Sequence, residues 1–118
     1  MSKTTLIRAV ADFETTTDLN DCRVWLWGYV TLDNVFAYGT GIDSFIDHVS
    51  TVKQTCYFHN LKFDGSFILD YLLNNGYEHT DERFPERGEF STILDSLRKF
   101  SQISACFDNG TRVHFLDS

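Results

Sequence analysis

The sequence predicts a single α/β domain, and three observations predict it. Three strand-like runs in the first forty residues lead into a helical segment. A second strand-and-helix pair follows at residues 55–74, with the polarity of half a crossover unit. Near the C-terminus two apolar runs flank Asp108-Asn109-Gly110, a strong hairpin signal because Asn-Gly tolerates positive φ.

Each element has a local reason. Thr4 to Phe13 (TTLIRAVADF) is β-branched and apolar without helical spacing, which reads as a central strand. Arg23 to Leu32 (RVWLWGYVTL) alternates strongly, and Val35 to Tyr38 follows Asp33-Asn34, a hairpin turn. Gly41 then precedes a helical segment over Ile42 to Val49. Thr55 to Phe58 (TCYF) is short and apolar enough for a buried parallel strand. After HNLKFDG, Phe67, Ile68, Tyr71 and Leu72 recur at helical spacing in a helix that starts near Gly65 and ends at Asn74-Asn75-Gly76. The charged stretch DERFPERGE, with the single proline Pro85, reads as a surface loop. Phe100 to Phe107 and Thr111 to Leu116 form the closing hairpin.

Composition narrows the functional classes. The 118 residues are 42% hydrophobic and 15% aromatic, too apolar for intrinsic disorder and consistent with one domain over residues 1–118. Ten Lys plus Arg against 17 Asp plus Glu give a net charge of -7, which opposes loose adhesion to a phosphate backbone. Nucleic-acid contact must then be local, and bound cations can invert the field of an acidic site. Cys22, Cys56 and Cys106 have neither the number nor the spacing of a disulfide framework or a thiolate zinc site, which fits a reducing cytosol. No stretch is long and apolar enough for a membrane span, so no membrane partner is expected, and the N-terminal MSKTTLIRAV lacks a signal-peptide apolar region.

The chemistry concentrates in VADFETTTD. On a strand, Asp12 and Glu14 point to the same side, about 7 Å apart, with Phe13 turned into the core. Two carboxylates in one space repel and raise each other's pKa unless a cation joins them, and Mg²⁺ or Mn²⁺ suits such hard oxygen donors. A lone D-x-E is most often a solvated loop pair. Asp64 in HNLKFDG adds a third carboxylate if its strand neighbours the first. Taken alone, His59, Asn60 and Asp64 read more readily as a helix entry than as a site, with Asn60 or Asp64 as the cap and His59 a polar surface residue.

ADFETTTDLNDCRVWLWGY and YFHNLKFDGSFILDYLLNNGY resemble the first and second exonuclease motifs of the protein-primed family B DNA polymerases of small tailed bacteriophages. FSTILDSLRKFSQISACFDNGTRVHFLDS resembles the same family more loosely, so the likeness covers nearly the whole chain. It implies an N-terminal 3′ to 5′ proofreading exonuclease domain of α/β, RNase H-like (DnaQ-like) fold: a mixed sheet flanked by helices, incomplete, with a C-terminal β-hairpin. It also implies a phage-encoded protein of the host cytoplasm. Position by position, Asp12, Glu14 and Asp64 match the catalytic carboxylates that hold two Mg²⁺ or Mn²⁺ ions for phosphodiester hydrolysis. Thr15, His59, Asn60, Phe63, Phe67 and Ser118 match ligands of a single-stranded DNA 3′ end, with the threonines at 15–17 as hydroxyl donors beside the phosphate path. Phe63 could stack on a base, though aromatics at this helical spacing also pack inward as core.

The family's third motif, a Tyr and an Asp separated by three residues, is absent after the hairpin; Tyr77 and Asp81 have the spacing but precede it. The resemblance therefore implies an incomplete metal site, with activity weak or dependent on a partner chain. It also implies an exposed apolar sheet face that a second copy or another protein would cover. The alternative is a catalytically inactive phage-encoded binding or inhibitor protein that reuses the fold, its acidity mimicking nucleic acid.

Overall fold

The computed structural model describes residues 7–16, 18 and 21–118. The start of the predicted first strand, residues 4–6, and Thr17 lie outside the described residues.

The first three strands are β1 (Ile7–Thr15), β2 (Val24–Thr31) and β3 (Phe36–Gly39). Helix α1 (Ile42–Val49), strand β4 (Gln54–Phe58) and helix α2 (Leu61–Asn74) follow. Four more strands complete the chain: β5 (Glu78–His79), β6 (Glu89–Leu94), β7 (Phe100–Cys106) and β8 (Arg112–Asp117). They form one eight-stranded mixed sheet in the order β3-β2-β1-β4-β8-β7-β6-β5. Its centre is parallel, with β4 between β1 and β8. The hairpin β1–β2 and the hairpin β7–β8 add antiparallel wings on either side.

Period-two alternation sets the two faces of β1. Ala9, Ala11 and Phe13 are buried, while Val10, Asp12 and Glu14 point to the opposite, exposed side. Both helices pack on the Phe13 face. Phe13, Phe45 of α1 and Phe58 of β4 meet edge to face with centroids 4.8–5.9 Å apart, and Phe115 of β8 stands 6.2 Å from Phe58. Leu61, Ile68 and Leu72 of α2 and Ile103 of β7 extend this core without solvent exposure. The buried polar Gln54 accepts from the Tyr29 hydroxyl at 2.6 Å and donates to the Val49 carbonyl at 2.8 Å, so it is satisfied where β4 begins.

Two elements differ from the sequence expectation. Helix α2 starts at Leu61, four residues before Gly65, because Leu61 is buried in the core and its N–H is received by Asp117 from across the fold. The expected cap Asn60 occupies the N-cap position, but its side chain makes no capping bond. The expected loop DERFPERGE is free of helix and strand over residues 81–88, but the connection from α2 to the hairpin is not loop throughout. Glu89–Leu94 pairs antiparallel with β7 and buries Phe90, and Glu78–His79 adds a short parallel edge. The hairpin turn is as expected, with Gly110 at φ 86°.

Candidate carboxylate site at the strand ends

The parallel register places the site. Ala11 of β1 lies opposite Phe58 of β4, and Phe58 lies opposite Asp117 of β8, so β4 and β8 end together while β1 runs on to Thr15. Ligand sites in α/β sheets form at such carboxyl ends. Asp12 and Glu14 extend β1 past its last pair with β4, and β4 runs through His59 and Asn60 directly into α2.

Asp64, in the first turn of α2, is 4% exposed, an expensive place for a carboxylate. Burial pushes its pKa up to about 6, and the charges of Asp12 and Glu14 push the same way. The Phe13 backbone N–H, hydrogen-bonded to it, pulls the other way. Asp64 thus feels both β1 carboxylates, and every charge that shifts it is negative. Asp12 and Glu14 are exposed and, with Leu26, Gly28 and Tyr38, line an open cavity of about 490 Å³ on the helix-free face. Among the described residues, no three His, Cys, Asp or Glu side chains are grouped closely enough to hold one ion. Asp12, Glu14 and Asp64 are carboxylates, the hard oxygen donors that a divalent cation prefers, and the charges of the first two both act on the third.

The other expected residues divide. Phe63 is 45% exposed and meets Phe67 edge to face at 5.4 Å, whereas Phe67 is half-buried against the core. The core alternative thus holds for Phe67 and not for Phe63. His59 and Asn60 are exposed and Thr15 is half-buried. The Thr16 hydroxyl is engaged within its own loop, donating to the Asp21 carbonyl and accepting from the Arg23 N–H. Ser118 donates both its backbone N–H, at 2.9 Å, and its hydroxyl, at 3.3 Å, to the Phe58 carbonyl. Sequence reasoning missed Asp117, whose Oδ1 accepts the Leu61 N–H at 3.0 Å. No local pattern links residues 56 positions apart.

No family model matches the chain. Individual proteins do. The DNA polymerase of Bacillus phage B103 is 41% identical over 98 residues, covering 81% of this chain and 17% of that protein. The DNA polymerase of Bacillus phage phi29 is 39% identical over 97 residues, covering 80% and 16%. Phi29 DNA polymerase in complex with primer-template DNA and incoming nucleotides superposes with a TM-score of 0.86 at 30% identity, over 98% of this chain and 21% of that one. Phi29 DNA polymerase in complex with single-stranded DNA gives 0.86 at 31% identity, over 97% and 21%. The fold is therefore that of the N-terminal domain of a phage DNA polymerase. More particularly, the chain is homologous to the N-terminal region of the phi29-like phage DNA polymerases, and it spans about a fifth or less of their length.

Proposed function

We propose that the chain is a polymerase-derived 3′–5′ exonuclease-like domain of RNase H-like fold that binds divalent metal and the 3′ end of single-stranded DNA. In this reading it is phage-encoded and acts in the host cell. The observation that carries the proposal is the electrostatic coupling of buried Asp64 to Asp12 and Glu14 where β1 and β4 end. A site that concentrates negative charge without a basic partner is suited to cations.

Asp12 and Glu14 would hold Mg²⁺ or Mn²⁺ from the helix-free side and Asp64 from the start of α2. When bound, the ions neutralise charge at a phosphodiester and activate water for its hydrolysis. The chain's own residues do the rest. Asp64 is oriented by the Phe13 N–H, and Phe63 offers an exposed ring on which an unpaired base can stack. Thr15, His59, Asn60 and Ser118 surround the same strand ends and supply polar groups to the sugar-phosphate path. Phe67 acts behind Phe63, bracing its ring. Catalysis is weak or completed by a partner chain, since among the described residues no three His, Cys, Asp or Glu side chains are grouped closely enough to hold an ion by themselves.

The test is a 3′-labelled single-stranded oligonucleotide with Mg²⁺ or Mn²⁺, incubated with the parent chain and with Asp12→Ala plus Glu14→Ala. Metal-dependent trimming lost in the double variant supports the enzyme. If neither cuts and both bind a partner equally well, the non-catalytic binding or inhibitor role takes its place.

A further inference from the structure

We propose that Asp117 is a positioning residue: its carboxylate caps α2 from the end of β8 and so fixes Asp64 and Phe63 against the ends of β1 and β4. A helix N-terminus leaves its first N–H groups without intrahelical partners. Those of Phe63 and Asp64 reach the Asn60 carbonyl at 3.1 and 2.9 Å, but the Asn60 side chain caps nothing. The Leu61 N–H is instead received by Asp117 Oδ1 at 3.0 Å. A carboxylate there also faces the positive end of the helix dipole, which favours it.

The cap is rigidly based. Asp117 pairs with Phe58 in the β4–β8 ladder, and the next residue, Ser118, returns its N–H to the Phe58 carbonyl at 2.9 Å. The strand that leads into α2 is therefore tied to the residue that holds the helix's first turn. The charges that perturb Asp64 are those of Asp12 and Glu14 and not that of Asp117, so Asp117 acts through the helix rather than as a further carboxylate of the site. Its functional meaning rests on the metal-site reading above.

The experiment compares the full chain with Asp117→Ala and Asp117→Asn, because Asn keeps an acceptor oxygen and loses the charge. Amide hydrogen exchange is followed at Leu61 and at Phe13, whose N–H reports the placement of Asp64. Mn²⁺ affinity is read by water-proton relaxation. The Ala variant should exchange about fivefold faster at both amides and bind Mn²⁺ several-fold more weakly, with Cys56 in β4 unchanged, while the Asn variant stays near the parent. If the Ala variant does not fold, Asp117→Glu, which displaces the oxygen while keeping the charge, should show the same acceleration. The proposal is overturned if Asn is as damaging as Ala, or if Leu61 accelerates while Phe13 and Mn²⁺ affinity do not. A parent chain that takes up no Mn²⁺ defeats the metal-site reading alone, and the two amides still decide the role of Asp117.

Discussion

Asp64 sets the pH response at the scale of single residues. Its pKa is raised from 3.8 to about 6, so the folded state binds this proton more tightly than the unfolded chain. The stability this brings is fully present below the unfolded value and is lost as pH rises through about 6. At neutral pH the ionised group opposes folding, by on the order of 2 kcal/mol. Asp64→Asn should therefore raise the melting temperature by several degrees at neutral pH, and the gain should vanish in acid where the parent carboxyl is already protonated. Thermal melts across that range, with and without Mn²⁺, check both points, and Mn²⁺ should stabilise the parent but not the variant. The two aromatics of α2 divide in the same way. Phe63→Ala should cost about 1–3 kcal/mol in single-stranded DNA affinity and little stability. Phe67→Ala should cost about 2 kcal/mol of stability, because it leaves a gap against the core. Denaturant melts and fluorescence-anisotropy titrations separate these outcomes. Asp12 and Glu14 were legible in the sequence because strand alternation alone puts them on one face. Asp117 was not, because its partner lies in another element.

At the scale of elements, α2 matters most, since it carries Asp64 and Phe63. It approaches β7 closely because Gly65 has no side chain: a Cβ there would stand 3.0 Å from Ile103 Cδ1. Gly65→Val should destabilise the protein by about 1–3 kcal/mol and lift the first turn of α2 from the sheet. Urea denaturation gives the first effect, and the NMR shift of the Phe13 amide gives the second. β3 shows the same constraint, where a Cβ at Gly39 would come within 2.7 Å of the Trp27 ring, itself held by Ser44 through Nε1 at 2.8 Å. Most strands and both helices could be read from periodicity and turn chemistry. β6 was hidden by the charges and the proline before it, since its pairing with β7 is a tertiary choice that local composition does not record. The early start of α2 was hidden for the same reason as its cap.

At the scale of the whole molecule, the helices cover one face of the sheet and leave the other open around Asp12 and Glu14. On β3, at the sheet edge, Phe36 and Tyr38 are 75% and 82% exposed, and Leu32 and Val35 lie in the turn before them. Apolar surface of this kind marks an interaction site, so we propose that a second copy or a partner protein covers it. Light scattering at micromolar concentration should show a mass above that of one chain, and Tyr38→Ser plus Phe36→Ser should return it to a monomer. A monomeric parent that also captures no protein partner would contradict this. We propose that a cation is shared between β1 and α2. The most direct measurement is a calorimetric Mn²⁺ titration of the parent chain beside Asp12→Ala and Asp64→Asn. Saturable binding that either substitution weakens at least about tenfold is the expected result. Mn²⁺ uptake of equal strength in all three proteins would contradict it.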